Sequence, residues 1–394
     1  MTLKEAARER VEAARDSLLD LSHRIHANPE LGYQEERAAA WLCEALDEAG
    51  LEVERGVAGL STAFAARAGS GPLHVAICAE YDALAGIGHA CGHNVIAAAA
   101  VGAGAALAGV ADDAGLTVTV IGTPAEEGGG GKIVLLEHGV FDGAHAAMMI
   151  HPTPFEAPQF PIIAATSFDL RYTGKEAHAS AFPELGVNAA DALVIAQTAI
   201  GLLRQHIRST DRIHGIVTKG GDAENVVPAD TAGRWMARAT TLRELEDLLP
   251  RVLRCFEAGA LATGATLDVT RYPPYAEMRH DPGLVEAYRR NAETVGRVFP
   301  DLGEILQRAT VSTDMGNVSH VVPSIHPALA VDAAGAVNHQ PEFAAACATP
   351  SADRAAIDGA VAMAWTAIDA AAEGPLRDRL LARAASREEG SPAP

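Results

Sequence analysis

Apolar positions return along this chain in two different rhythms. Val11, Ala14, Leu18, Leu21 and Ile25 recur every three or four residues, the spacing of one helical face. After the NPELGY turn, Ala38, Trp41, Leu42, Ala45 and Leu46 repeat that spacing in a second helix. LHVAICAE (73–80) and LTVTVIGT (116–123) are instead continuous apolar runs, as expected of strands buried on both faces, and AHAAMMI (144–150) reads as a third. An alanine-rich helix over 94–109 separates the first two strands, and GKIVLLEHG is a short helix before the third. Strands alternating with helices predict an α/β layer with a largely parallel sheet flanked by helices.

The middle of the chain follows another order. TSFDLRYTG (166–174) reads as a strand and VNAADALVIAQTAIGLLRQHI (187–207) as a long helix. RIHGIVTKG (212–220) and DTAGRWMARAT (230–240) are strands, LRELEDLLPRVLRCFEAGA (242–260) a helix and GATLDVTRY (264–272) a last strand. The succession β-α-β-β-α-β is that of a ferredoxin-like α+β sandwich. The expected organisation is a discontinuous larger domain, 1–163 and 274–394, into which 164–273 is inserted. The segment VSTDMGNVSH (311–320) is expected to help complete the larger domain. The tail, AASREEGSPAP, is polar and Pro-containing and expected to be disordered.

Composition narrows the function classes. At 394 residues the chain suits two domains, and a mean hydropathy of +0.08 describes a globular protein. The charged, helical N-terminus shows no signal peptide and no apolar run is long enough for a membrane span, so a cytoplasmic location is the default. Lys and Arg number 31 against 51 Asp and Glu, so the surface repels nucleic acid and anionic membranes, and neither is an expected partner. Five scattered cysteines make no disulfide framework. Cys78 falls within an apolar strand and Cys43 on a helix, as small core residues; only Cys91 has polar company.

That company is GHACGHN (88–94), where three accounts compete. A redox cysteine wants a second thiol close by, and there is none. A thiol nucleophile wants a base and an orienting amide, which His93 and Asn94 could supply. A metal site wants further imidazoles and carboxylates converging from other segments. Tyr81-Asp82 follows the first apolar strand, Glu126-Glu127 the second and His151 the third, so three strands deliver ligand-type residues to the rim where α/β sheets bind ligands. That convergence favours the metal, with the thiol nucleophile as rival. In PAEEGGGG, neighbouring carboxylates point in different directions, so one of Glu126 and Glu127 can ligate while the other faces water as a general base. Most of the 15 histidines, among them His23, His26, His206, His214 and His280, have no such surroundings. His89, two residues from Cys91, could ligate but reads as a residue supporting the ligands or as structural.

EYDALAGIGHACGHN, GTPAEEGGGGKI, MMIHP, GKEAHAS, ENVVP and NHQPEF together resemble the dinuclear metallopeptidases that include carboxypeptidase G, aminoacylase and hippurate hydrolase. Within that family the motifs are similar to the cysteine-containing amidohydrolase branch, nearest to aminobenzoyl-glutamate hydrolase subunits and a β-alanyl-lysine dipeptidase. The resemblance implies two divalent ions, zinc or manganese, with Cys91 bridging them. It implies that His93 and His151 complete one site and Glu127 and His339 the other, His320 and His326 being alternatives near His339. It makes Glu126 the catalytic base and Asp82 the carboxylate that orients His93. His178, Asn225 and Arg238 match positions that bind the substrate carboxylate and the oxyanion. The inserted domain would be a lid and dimerisation domain, with His178 serving the partner of a homodimer. Asn94, where many of this branch carry Asp, marks a departure. The implied activity is hydrolysis of an amide bond in an N-acyl or N-aminoacyl amino acid or small dipeptide. The alternatives are a metal-free hydrolase using Cys91 and a catalytically silent ligand-binding homologue.

Overall fold

A computed structural model describes residues 1–303 and 310–390. The chain forms two compact units. One comprises Met1–Pro161 with residues 279–303 and 317–390; the other comprises Ile162–Met278 with Thr310–Gly316.

The first unit is built on a six-stranded sheet. Its members are β1 (Glu52–Arg55), β2 (Phe64–Ala68), β3 (Leu73–Ala79), β4 (Leu116–Gly122), β5 (Ala146–Met148) and, much later in the chain, Ser324–Ile325. The spatial order is β1-β2-β4-β3-β5, followed by Ser324–Ile325. From β4 onward the pairings are parallel, while β1 and β2 form an antiparallel edge. The two apolar runs occupy the centre: every residue of β4 is buried, and β3 is buried except at His74. Helix His93–Ala108 packs on both strands and against helix Pro350–Ala371. Its small residues permit the close approach. A Cβ on Gly104 would stand 2.3 Å from Val120 Cγ2, and one on Gly102 2.9 Å from Ala360 Cβ.

Three local expectations need correction. The third apolar run is divided: β5 stops at Met148, and His151 opens a separate strand, β6 (His151–Thr153), which pairs in parallel with Ala328–Ala330. The first amphipathic helix is two, Leu3–Ala13 and Arg15–Ala27, because Ala14 leaves helical geometry at ψ 1°. The tail is helical as far as Gly390, in keeping with its alanine, arginine and glutamate; residues 391–394 lie outside the described residues.

The second unit is a four-stranded antiparallel sheet of β7 (Ala164–Thr173), β8 (Arg212–Lys219), β9 (Asp230–Ala239) and β10 (Thr266–Arg271), in the order β10-β7-β9-β8. Burial along β9 alternates residue by residue, the mark of a sheet covered on one face. Helices Ala189–Leu203 and Leu242–Thr263 supply the cover, around Phe168, Tyr172, Trp235 and Phe256. Thr310–Gly316, expected with the larger domain, packs here instead: Ile163 N donates to Val311 O at 2.9 Å, and Ser312 Oγ to Ile163 O at 2.7 Å. Among the described residues, no single helix is long and apolar enough to cross a membrane.

Candidate metal centre

In the first unit, the loops after β3, β4 and β5 carry the polar residues that the apolar strands lack. Glu80-Tyr81-Asp82 follows β3, Glu126-Glu127 follows β4 and His151 begins β6. The second of these loops is held in a strained backbone conformation by a buried carboxylate. Ala125 adopts φ 58°, and its N–H donates to Glu35 Oε1 at 2.8 Å. His339 arrives from a distant segment at φ 69°, with its N–H donating to Ala90 O at 2.9 Å.

His93 opens its helix directly after Gly92, which has φ 78° and no room for a side chain: a Cβ there would stand 2.9 Å from Pro152 and 3.2 Å from Cys347 Sγ. His93 Nδ1 bonds Asp82 O at 2.8 Å and Asp82 Oδ1 at 3.0 Å, so Nε2 is the nitrogen that faces the cluster. Asp82 Oδ2 accepts the Glu127 N–H at 2.9 Å. One buried carboxylate therefore fixes an imidazole and a neighbouring loop, the arrangement by which a metal ligand is held in one tautomer. Burial works against charge on both partners, but their attraction prevails: the Asp82 carboxyl is held low and the His93 imidazolium high.

Cys91 Sγ lies 3.7 Å from His151 Nε2 and 3.5 Å from His339 Nε2, and His339 Nε2 lies 3.6 Å from Glu127 Oε2. Donor atoms of Cys91, His93 and His151 fall within 4.8 Å of one another; so do those of Cys91, Glu127 and His339, and those of Glu80, His93 and Glu126. Ligands of a tetrahedral ion, at about 2.0–2.3 Å from it, stand roughly 3.3–3.7 Å apart. The His339–Glu127 separation matches that spacing and is long for a hydrogen bond, and the two contacts to sulfur are compatible with it. His93 Nε2 and Glu127 Oε1 are buried with no hydrogen-bond partner among the described residues. Each such orphan costs about 1–3 kcal/mol in the absence of a ligand. Imidazole and carboxylate atoms left without hydrogen-bond partners beside a thiol fit divalent ions.

Burial, then the Glu127 charge, pushes the Cys91 thiol up, and burial brings His151 down to about 4. A protonated thiol beside a neutral imidazole is a poor nucleophile, whereas a cation would hold the same sulfur as thiolate.

The residues singled out from the sequence separate into two sets. Asp82, Cys91, His93, Glu126, Glu127, His151 and His339 meet in the first unit. His178, Asn225 and Arg238 belong to the second. There His178 bridges to Val226, Ala179 N donates to Asn225 O at 3.0 Å, and Arg238 on β9 donates to Ser312 Oγ at 3.1 Å. His89 is buried beside His26 and falls in none of the three donor groups. Asn94 ties its helix to Ser22 Oγ and Cys347 O, each at 2.9 Å.

Sequence reasoning missed Glu80, Lys132 and the stacking of His326 on His151, with ring centroids 5.3 Å apart. The signal for Glu80 was present. It stands two residues before Asp82 at the end of an extended strand, where alternate side chains share a face. His326, nearer in sequence to the expected ligand His339, serves as a buried neighbour of His151.

The model of peptidase family M20/M25/M40 matches residues 74–363. The Xaa-Arg dipeptidase of Mus musculus is 40% identical over 382 residues, covering 93% of this chain and 88% of its own length. One of the subunits of the p-aminobenzoyl-glutamate hydrolase of Escherichia coli is 34% identical over 280 residues, 66% of this chain and 58% of that one. The fold is shared with a dinuclear metal-binding M20 peptidase of Bacillus subtilis (TM-score 0.67, 20% identity, 91% of this chain and 98% of that one). It is shared also with an aminobenzoyl-glutamate utilization protein of Klebsiella pneumoniae (TM-score 0.68, 19% identity, 89% and 97%). Fold and donor set together define a metal-dependent hydrolase of amide bonds. The chain belongs to peptidase family M20/M25/M40.

Proposed function

We propose that this protein hydrolyses the amide bond of a small dipeptide or N-acyl amino acid at a two-ion centre. The observation that carries the reading is that two donor groups, Cys91–His93–His151 and Cys91–Glu127–His339, share one sulfur. Cys91 would join the two ions, zinc or manganese, with His93 and His151 on one and Glu127 and His339 on the other. When bound, the ions supply Lewis acidity, polarising the scissile carbonyl and making nearby water more acidic. Glu126 takes the proton of the attacking water and returns it to the departing amine. Asp82 positions His93 and the Glu127 backbone. Of the second unit's residues, His178 and Asn225 serve as donors to the oxyanion and Arg238 as the anchor of the substrate carboxylate.

In this reading the second unit closes over substrate and joins two chains into a homodimer, with His178 serving the partner's site. Edge strand β8 supports the pairing, since Ile216 is 63% exposed and Val217 44%. Five free cysteines suit a cytoplasmic location. The near full-length likeness to an Xaa-Arg dipeptidase makes dipeptides ending in arginine the first substrates to assay. A screen of these with β-alanyl dipeptides, aminobenzoyl-glutamate and N-acyl amino acids, under zinc, manganese and no metal, tests the proposal. Turnover that survives complete chelation returns the thiol mechanism to favour; no turnover under any metal favours a silent binding protein.

A further inference from the structure

Glu80 has no part in that reading, yet its carboxylate is completely buried against the cluster. One oxygen, Oε1, accepts from Lys132 Nζ at 2.5 Å, and Lys132 is equally buried. The lysine comes from the start of helix Gly131–Glu137. Gly131 permits that entry, since a Cβ there would lie 1.9 Å from Pro124 O. The other oxygen, Oε2, has no hydrogen-bond partner among the described residues and lies 3.4 Å from His93 Nε2, which has none either.

We infer that Glu80 Oε2 is a further ligand of the ion held by His93, and that Lys132 is the positioning residue that leaves this oxygen, and only this one, to the metal. The inference rests on the dinuclear reading above. Three features support it. The 3.4 Å separation is long for a hydrogen bond but ordinary for two donors on one ion. His93 cannot turn Nε2 elsewhere, because Asp82 holds Nδ1. Glu80, His93 and Glu126 form a donor group that shares His93 with the Cys91–His93–His151 group, so a carboxylate oxygen is within reach of the same position. A carboxylate needed only to neutralise Lys132 could have offered both oxygens to it, and a second buried oxygen without a hydrogen bond, beside the His93 imidazole, is a standing cost that an ion would remove.

The test compares metal binding by stripped wild type, Glu80→Gln, Lys132→Met and the double variant, titrated with Zn²⁺ or Mn²⁺ against a competing chelator. Circular dichroism confirms folding. Wild type is expected to bind two ions per chain, and Lys132→Met to keep both. Glu80→Gln, alone or with Lys132→Met, is expected to weaken one ion by about 10–100-fold and spare the other. The double variant removes the lysine charge together with the carboxylate that neutralises it, so it carries the test if Glu80→Gln fails to fold. A double variant that binds two ions as tightly as wild type overturns the inference and leaves the dinuclear reading standing. A wild type that binds no second ion removes both. A crystal structure of the metal-loaded wild type decides independently of any variant: Glu80 Oε2 about 2.0–2.2 Å from the ion supports the inference, and an oxygen beyond about 3 Å rejects it.

Discussion

The loops at the ends of β3 and β4 and the exposed segments of the second unit present their polar residues in opposite ways. Around Cys91, Glu80, Asp82, His93 and Glu126 are buried, Glu127 and His151 are half-buried and His339 is exposed, and several of these atoms have no hydrogen-bond partner within the described chain. His178 is exposed, and its Nδ1 accepts from Ser180 N and Ala181 N of its own turn. The buried set is costly unless something binds there, so its geometry argues for a ligand without outside help. The exposed set makes no such demand, and its proposed role depends on likeness to relatives.

Substitutions can sharpen that contrast. Cys91→Ala removes the atom both donor groups share, so activity should fall to background and metal analysis should show at least one ion lost. Retention of two ions with full turnover would dissolve the bridging role. Glu126→Gln separates chemistry from metal binding. Its kcat should drop about 10²–10⁴-fold, the contribution of a positioned base, with both ions still bound. An active, metal-replete variant would transfer the base to another group. In the second unit the effects should be smaller and should fall on KM. Arg238→Ala should raise KM about 10–100-fold for substrates with a free carboxylate, as expected when a charged hydrogen bond worth about 1.5–3 kcal/mol is lost, and scarcely change it for their amides. Equal effects on acid and amide would mean that Arg238 acts through Ser312 and the local fold.

The same contrast explains what could be read from the sequence. Two uninterrupted apolar runs could only be interior strands, and once β3 and β4 were placed, Asp82, Glu126 and Glu127 had to emerge together. His339 was legible only through likeness, because no local pattern says that a loop nearly 250 residues beyond Cys91 will return to it. The division of 144–150 was hidden for another reason: a short apolar run does not reveal where one sheet ends and another begins. Glu80 was passed over because a charged residue at the end of an apolar run reads as its boundary. Yet its burial, with Lys132 as counter-charge, makes it part of the site's floor. For Arg238 and Asn225, no feature of the sequence outside the resemblance separated them from ordinary surface positions.

The smallest expected effect concerns stability, and it too should divide the regions. Burial, with Arg67 and His145 adding, lowers His74 to about 4, and burial lowers His280 to about 4 and His89 to about 3. Each titrates near 6.5 in the unfolded chain. As pH falls below that value, the unfolded chain takes up protons that the folded chain refuses, so stability present at neutral pH is lost through the window from 6.5 to about 4. Glu156, which burial raises to about 7, opposes this: its folded form gains a proton first and gains stability as pH falls from 7 towards the ordinary carboxyl range. Burial also lowers His151, His214 and His326, while Glu35, Glu127 and Asp358 join Glu156 and His93 on the raised side, and a net loss is the expected outcome. Chelator-stripped protein should melt several degrees lower at pH 5 than at pH 7. Hydrogen exchange should show β3 and β4 losing protection before β7 and β9. His74→Gln should flatten the dependence, because Gln can still bond Thr119 Oγ1, the present partner of His74 Nε2 at 2.8 Å, without taking up a proton. Equal melting at both pH values, with His74→Gln melting like wild type, would show that His74 is protonated in the folded protein, and with that the interior around β3 would be wetter than its burial implies.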